Sequence, residues 1–379
     1  GVDMADGYAR VTNGKPPGVF AMQYGPGSEN AFPGIATAFS DSAPILFLPL
    51  AQAVDQSQIF PTFRSSVTYA SVTKQVEEIR SASSTADVMR RAYNALKNGR
   101  LGPVMVEVPR DLVDSETGFD SPNYTPMRAS LSAPDPRDVE DAARLLVAAK
   151  CPVILAGQGV LYAEASDELV ALAELLQAPV MTTVDGKSAF PEDHPLSLGS
   201  GGNTFSGPGR LFLYEKADLI LGIGTGLNRH PLTTPPLPKG VPIIHATNDT
   251  RDLHKQHQTE VALLGDARLT LANLVLAVKD RLGGKRPNAS PAAEIAAERT
   301  AWLARWQAKL NSKESPITPY HVMSEFIRVV DPAGAIVTHD SGSPRDQLLP
   351  FYRATRPRGY LGWGKSHQLG NGLGLTIGA

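Results

Sequence analysis

Cysteine is nearly absent from this sequence, which contains one, Cys151, among 379 residues. A single cysteine excludes an intramolecular disulfide and a cysteine-rich metal site, and it suits a reducing compartment, so a cytoplasmic protein is expected. An excess of charge is also absent, because 36 Lys and Arg residues stand against 38 Asp and Glu residues. The net charge of −2 gives a nucleic-acid partner no electrostatic support, and none is expected.

Several familiar motifs are missing as well. The longest apolar stretch, APILFLPLAQAV at 43–54, is well short of the roughly 20 residues that cross a bilayer, so no membrane segment is expected. The 8 histidines lack the spacing of a zinc site. Neither Ser206 nor Ser341 lies in the G-x-S-x-G frame of a hydrolase nucleophile. A G-x-G-x-G pattern occurs at 370–374, but no strand leads into it, which disfavours a nicotinamide dehydrogenase.

What is present is an alternation of strand-like and helical segments. Apolar and β-branched runs bounded by Pro or Gly alternate with amphipathic stretches, which is the pattern of parallel βα units. We therefore predict an α/β fold of three doubly wound parallel-sheet domains, with strands at 17–24, 44–51, 103–109, 152–157, 178–184, 217–224, 241–247 and 335–340. The predicted helices are 28–40, 84–98, 135–150, 163–177, 207–216, 267–282 and 319–330.

Two polar stretches divide the chain. Residues 112–134 are rich in Ser, Pro and Asp, and residues 283–291 read GGKRPNASP, so both are interpreted as linkers. The pair Trp302 and Trp306, four residues apart on one helix face, favours core packing over a site. The sequence opens in a helical pattern without an initiator Met and closes inside a helix, so truncation at both ends is expected. The predicted domains are 1–125, 126–285 and 286–379.

The stretch MQYGPGSENA places Gly25-Pro26-Gly27 between an apolar strand and a helix start. Glycine permits backbone angles that other residues resist, and it leaves no side chain above the strand end. Ligands in open α/β sheets bind at the carboxyl ends of strands, where the next helix offers free N–H groups. A structural turn and a ligand site are both open interpretations of this motif.

Two further segments carry several glycines. The first, LGWGKSHQLGNGLGLTIGA at 361–379, is typical of a helix that packs closely against another backbone. The second, LILGIGTGLNRHP at 219–231, follows a predicted strand, and Asn248-Asp249 ends the next one, where a carboxylate could accept a ribose hydroxyl. Glycine commonly ends strands for structural reasons alone. The evidence for a nucleotide site in this segment is therefore weak, and a purely structural role of the glycines is favoured.

Taken in order, these motifs resemble thiamine-diphosphate-dependent enzymes of the acetolactate synthase type. ADGYARVT, GPGSEN, DSAPILFLPLAQ and GRLGPVMVEVPRDL resemble the pyrimidine-binding domain of that family. Residues 135–282 resemble its Rossmann-like middle domain. THDSG and GKSHQLGNGLGLTIGA resemble the beginning of its diphosphate-binding domain. The likeness covers essentially the whole chain and implies the same three domains, with the first and the last incomplete.

The resemblance implies a lyase or carboligase, an enzyme of the transferase or lyase class, that acts on a 2-oxo acid through a C2 carbanion and an enamine. The implied cofactors are thiamine diphosphate and Mg²⁺, and FAD is left open because Gly222, Gly224, Arg229 and Asp249 stand near flavin-contacting positions. The implied assembly is a homodimer or homotetramer with the cofactor site at the subunit interface. The partner molecule is then a small 2-oxo acid.

The resemblance also names site residues. The catalytic candidates are Gln52, His367 and Leu369, and Leu369 matches the apolar side chain that holds the cofactor bent. The cofactor-binding candidates flank the glycine motifs, and they are Gly25, Pro26, Gly27, Asn30, Ser341, Gly342, Ser343, Gln368 and Gly370. No metal ligand is assigned, because the metal motif of the family is expected beyond Ala379.

Departures from the family pattern bear on the function. The catalytic glutamate is expected upstream of Gly1, so the fragment alone is expected to be inactive. Phe60-Pro61 stands where acetolactate synthases carry Phe-Gln, and Pro344 stands where they carry His, which weakens a pyruvate-specific assignment. The alternative is a non-catalytic homologue or assembly partner that binds a nucleotide or flavin in the middle domain.

Overall fold

The computed structural model describes residues 1–118, 125–202, 204–230, 232–284, 289–366 and 368–379. The helices are α1 (Val2–Val11), α2 (Pro26–Ser40), α3 (Ser65–Thr68), α4 (Thr85–Lys97), α5 (Pro136–Ala148), α6 (Gln158–Tyr162), α7 (Ser166–Leu176), α8 (Gly207–Arg210), α9 (Ala267–Leu282), α10 (Ala292–Ala304), α11 (Gln307–Leu310), α12 (Pro319–Val329), α13 (Ser343–Leu348) and α14 (Asn371–Gly378). The strands are β1 (Gly18–Met22), β2 (Ile45–Ala51), β3 (Gln75–Glu78), β4 (Val104–Pro109), β5 (Pro152–Ala156), β6 (Val180–Thr183), β7 (Ser197–Gly201), β8 (Leu219–Ile223), β9 (Ile243–Thr247), β10 (Val261–Leu264), β11 (Val337–Thr338) and β12 (Tyr360–Leu361).

The chain divides into two compact units. Unit 1 contains Gly1–Leu131 together with Lys365–Ala379, and unit 2 contains Ser132–Gly364. Every strand pair in both units is parallel. The predicted class, α/β with parallel sheets, is therefore confirmed.

Unit 1 is built on a four-stranded sheet in the order β1-β2-β4-β3. Alternate residues of the strands face opposite cores, because successive strand side chains point to opposite faces. Ile45 and Phe47 pack with α1, α2 and Tyr69, whereas Leu46 and its neighbours pack with α4. The sheet is covered on both faces, as an all-parallel sheet requires.

Unit 2 contains a six-stranded sheet in the order β10-β9-β8-β5-β6-β7. The chain leaves β5 for β6 on one side and later returns to β8 on the other side, so the strand order reverses between β5 and β8. In open α/β sheets such a reversal point is where a ligand crevice forms. The sheet is buried between α5, α7 and α9 on one face and a second apolar cluster on the other.

The last part of unit 2 is a small two-stranded sheet, β11-β12. Two strands bury too little surface to form an independent core. Val337 and Tyr360 accordingly join a cluster that includes Val184 from the larger sheet's loops. The ring centroids of Trp302 and Trp306 lie 6.1 Å apart, and the Phe351 ring stacks on Trp302 with a centroid distance of 5.2 Å. Both tryptophans therefore pack in an aromatic cluster, as expected.

The predicted three-domain division remains a prediction, and the compact units group the chain differently. The first predicted boundary, at residue 125, lies close to the end of the first segment of unit 1. Of the described residues, 289–364 group with the middle region, whereas those from Lys365 to Ala379 group with unit 1, because α14 packs against α1. Between residues 113 and 134, the described part contains no helix or strand, in agreement with a linker.

The sequence prediction omitted four strands, β3, β7, β10 and β12, whereas β11 lies within the predicted strand at 335–340. Within the parts of the chain that the structure describes, no helix is both long enough and apolar enough to span a membrane.

Candidate functional site

The turn Gly25-Pro26-Gly27 connects the carboxyl end of β1 to α2. Gly25 has φ +65 and ψ −115, and Pro26 occupies the first helical position. A Cβ atom placed on Gly25 would meet no atom within 4 Å, so the space above this backbone is open. The predicted ligand-binding residues of this turn, with Asn30 exposed in the second turn of α2, lie near one strand end.

Tyr69 contacts the first turn of α2, which directly follows the open turn. Its hydroxyl donates a hydrogen bond to the backbone oxygen of Ser28, and its ring packs on Phe47 at 4.6 Å. Burial raises the pKa of this phenol, so Tyr69 stays protonated and keeps donating. The Tyr69 hydrogen bond and ring contact therefore hold the start of α2 beside the open turn.

The glycine-rich segment forms α14, which packs directly on α1. A Cβ on Gly7 would lie 2.3 Å from the Leu375 backbone oxygen, and one on Gly378 would lie 2.0 Å from the Met4 oxygen. These glycines allow the two helix backbones to approach closely. The expectation of a helix packed through its glycines is thus confirmed for this segment.

The residues just before α14 include four predicted site positions. The hydroxyl of Thr37, on α2, donates a 3.2 Å hydrogen bond to Oε1 of Gln368, which ties the segment to the helix that follows the open turn. Leu369 is 77% exposed, and Gly370, with φ +83, has open space where a Cβ would lie. His367 lies outside the described residues.

Gln52 lines a cavity of about 260 Å³ at the carboxyl ends of β2, β3 and β4. We call it the strand-end cavity. Its lining is completed by Ala51, Val54, Ser57, Gln58, Thr62, Phe63, Arg64, Ser66, Glu78, Ile79, Arg80, Glu107 and Pro109. The sheet positions these groups, because parallel strands end at the same edge.

Two carboxylates of this cavity face opposite pKa shifts. Glu78 and Glu107 are register partners on neighbouring strands. Burial, together with the nearby charge of Glu78, raises the pKa of Glu107 against a hydrogen bond from Ser66 that lowers it. Burial also acts on Glu78, but hydrogen bonds from Ser66 and Arg80 outweigh it and lower the pKa. Carboxyl pairs with separated pKa values are frequent at functional sites.

A second open turn occurs in unit 2, after β11. Gly342 has φ +82 and ψ −138, precedes α13, and has open space where a Cβ would lie. The backbone N–H of Ser341 donates to Asp340 Oδ1 at 2.7 Å, and Ser343 begins α13. The predicted residues Ser341, Gly342 and Ser343 therefore share the strand, glycine turn and helix arrangement of the Gly25 turn.

The strand ends at the reversal point of unit 2 are closed. A Cβ on Gly157 would lie 2.4 Å from the Gly224 oxygen, and one on Gly224 would lie 2.6 Å from the Val160 nitrogen. Asp249 is 7% exposed and pairs with Arg251 at 2.8 Å. These glycines allow neighbouring backbones to pack.

Sequence reasoning named Gln52 but missed Glu107, Glu78 and Arg64 in the same cavity. One signal was present for Glu107, because a glutamate interrupts the apolar run VMVEVP. No group of three or more His, Cys, Asp or Glu residues in the described ranges is arranged to hold a metal ion.

Comparison with known families gives two matches. Residues 1–77 match the thiamine pyrophosphate enzyme N-terminal TPP-binding domain, and residues 139–274 match the thiamine pyrophosphate enzyme central domain. Thiamine pyrophosphate is another name for thiamine diphosphate. The matched segments fall where the sequence predicts the first two domains.

Similar proteins include enzymes with different names. A Methanocaldococcus jannaschii protein named "Probable acetolactate synthase large subunit" is 29% identical over 99% of this chain, which spans 64% of that protein. A Pseudomonas aeruginosa protein named "Probable 2-ketoarginine decarboxylase" is 31% identical over 99% of this chain, which spans 65% of it.

The crystal structure of benzoylformate decarboxylase from Polynucleobacter necessarius superposes with a TM-score of 0.77 at 21% identity, covering 100% of this chain and 68% of that chain. At this identity the likeness concerns the fold. Together with the two domain matches and the relatives, it leads to one conclusion: the chain belongs to the thiamine pyrophosphate enzymes and contains their N-terminal TPP-binding domain and their central domain.

Proposed function

We propose that the full-length protein is a thiamine-diphosphate-dependent lyase or carboligase that acts on a 2-oxo acid; its similarity to a protein named "Probable acetolactate synthase large subunit" supports this proposal. The observation that carries this proposal is the open backbone at Gly25, at a strand end of the TPP-binding domain. A bare turn with free space fits the approach of a flat ring to the backbone.

The residues of unit 1 fit the aromatic part of the cofactor. Gly25 and Gly27 leave the backbone accessible, and Asn30 presents a polar side chain one helical turn further on. Leu369, exposed and apolar, has the chemistry of a packing surface for a ring. Thiamine diphosphate, when bound, supplies the electron sink that allows the bond between a 2-oxo carbon and its carboxylate to break.

Other residues are assigned by their own chemistry. Ser341, Gly342 and Ser343 offer hydroxyl and backbone N–H donors suited to the diphosphate, and Mg²⁺ would accompany those phosphate oxygens. The amide of Gln52 can orient a substrate oxygen at the cavity, and the amide of Gln368 is positioned by Thr37. His367 remains a candidate from the sequence.

The proposed reaction does not use FAD. The glycines at the reversal point of unit 2 contact backbone, and the Asp249 carboxylate accepts two hydrogen bonds from the Arg251 side chain at 3.0 and 2.8 Å. These residues do not fit a flavin.

The proposed assembly is a cytoplasmic homodimer or homotetramer with the cofactor at a subunit interface. We expect light scattering on the full-length protein to give a mass of two or four chains. A strictly monomeric protein would count against this arrangement.

The function is tested by titrating the full-length protein with thiamine diphosphate and Mg²⁺ and measuring carbon dioxide release from a panel of 2-oxo acids. We expect saturable, cofactor-dependent release from at least one acid. Protein without the cofactor is the control. Cofactor binding with no release from any acid would favour the non-catalytic alternative, and absence of binding would refute the proposal.

A further inference from the structure

The strand-end cavity has an acidic interior and a basic rim. Glu107 lies on β4, an inner strand of the sheet, and is half-buried, whereas Arg64 and Arg80 are exposed. The volume of about 260 Å³ suits the end of a small molecule better than a whole cofactor. The cavity is therefore a candidate for recognising one part of a substrate.

Glu107 has hydrogen bonds, and the positive charge of Arg64 acts on it from beyond ion-pair distance. Its carboxylate accepts from the backbone N–H of Ser66, and it shares the Ser66 hydroxyl with Glu78. Across the described residues, it forms no ion pair within 4 Å. Its register partner Glu78 adds a second negative charge, and like charges side by side on neighbouring strands repel each other.

Arg80 and Arg64 differ in their ion pairing. Arg80 donates to Glu78 at 2.9 Å, so this guanidinium is already paired. Arg64 forms no hydrogen bond or ion pair through its side chain with any residue that the structure describes. Being exposed, Arg64 is screened by water, and its attraction for an anion is weaker than that of a half-buried carboxylate for a cation.

We propose that Glu107 is a specificity-determining residue that binds the cationic end of the substrate, so that the preferred substrate is a 2-oxo acid with a basic side chain. This inference rests on the proposed function. The arrangement matches a molecule whose cationic end enters the cavity and whose carboxylate stays near the basic rim. An incoming cation also relieves the repulsion between Glu78 and Glu107.

The experiment compares 2-oxo acids of equal length that end in a guanidinium, a neutral ureido group or a carboxylate. The full-length protein should show a kcat/KM about 10- to 100-fold higher for the guanidinium end than for the ureido end, as expected for one charge-assisted pair. Glu107→Gln should reduce this ratio towards one, because the amide still accepts from Ser66 but carries no charge. Glu107→Asp should restore part of the ratio.

Glu77→Gln is the matched control, because Glu77 lies on β3, pairs with Arg91 and does not line the cavity. Glu77→Gln should keep the wild-type ratio of kcat/KM between the guanidinium-ended and ureido-ended acids. Equal loss for both substrates in Glu107→Gln would show that Glu107 only supports the fold and would overturn the inference. A wild-type preference for the carboxylate or ureido end would also overturn it, while leaving the proposed function intact.

A binding measurement separates the two claims. Calorimetric titration of the cofactor-free protein with the guanidinium-ended acid should give binding that weakens about 10-fold or more in Glu107→Gln. Such binding, combined with no turnover of any 2-oxo acid once thiamine diphosphate and Mg²⁺ are added, would refute the proposed function and retain the cavity's recognition of a cation. Equal affinity of the wild type and Glu107→Gln would refute the recognition.

Discussion

Glycine follows parallel strands in both units, but the surroundings differ. At the end of β1, a Cβ on Gly25 would enter open space, whereas at the end of β8 one on Gly224 would lie 2.6 Å from a backbone nitrogen. Both glycines have positive φ, +65 and +60. The same residue thus leaves room for a ligand at one strand end and allows backbones to pack at the other, and the sequence pattern alone does not separate the two.

The largest expected effect is a loss of stability when a side chain is added at Gly224, where the end of β8 is packed against backbone. Gly224→Ala places a methyl group against the Val160 backbone at a strained φ, so we expect the free energy of unfolding to fall by about 3 kcal/mol or more. Urea denaturation measures this loss. Gly240→Ala is the control, since Gly240 has φ +80 and open surroundings, and only the strain of about 1–2 kcal/mol is expected. Equal losses in the two variants would contradict the closed packing.

Adding a side chain at Gly25, where the end of β1 is open, should instead weaken cofactor binding. Gly25→Ala should weaken the affinity for thiamine diphosphate about 10- to 100-fold, while unfolding changes by only about 1–2 kcal/mol of backbone strain. Calorimetry with Mg²⁺ present measures the affinity. Gly99→Ala, at φ +64 and also in open surroundings, should keep the wild-type affinity. An unchanged affinity in Gly25→Ala would remove the ligand interpretation of this turn.

Leu369 extends the comparison to an exposed side chain of unit 1. Leu369→Ala should lower kcat about 10-fold, because an apolar surface for the cofactor is lost, with a stability change within about 0.5 kcal/mol. Leu373→Ala is matched, since Leu373 is 72% exposed and Leu369 is 77% exposed. If both variants lowered kcat alike, a specific role for Leu369 would be excluded.

The smallest expected effect is the pH dependence of stability at the strand-end cavity. Burial raises the pKa of Glu107 above its unfolded value, so the folded state binds more protons between these two pKa values. Stability should therefore fall as pH rises from about 4.5 through the raised pKa, by less than about 1 kcal/mol because the group is partly exposed. Glu107→Gln should show no such slope, as measured by thermal unfolding between pH 4 and pH 8; the same slope in the variant would contradict this.

Most strands of both large sheets were predictable from the sequence. Runs such as ILFLPLA and LILGI are continuous and apolar because the inner strands are buried on both faces. The four missed strands, β3, β7, β10 and β12, all lie at sheet edges. Polar or small residues weaken the apolar signal of β3 (QVEE) and β7 (SLGSG), and β12 is two residues long.

Parts of the candidate site follow local sequence motifs. GPGSEN indicated the open turn, and the glycine spacing of 370–378 indicated close helix packing. The strand-end cavity was not predictable, because Gln52, Ser66, Glu78 and Glu107 meet only through strand pairing. Nor could a local pattern show that Gln368 would bond to Thr37, which is 331 residues away in the sequence.

The most direct test of the open and closed strand ends is hydrogen–deuterium exchange of the full-length protein with and without thiamine diphosphate and Mg²⁺. We predict that the cofactor slows exchange at residues 25–30 and 368–372 and leaves residues 157–160 and 224–227 unchanged. Protection at the second pair of segments, with none at Gly25, would contradict the assignment of the cofactor to the open turn.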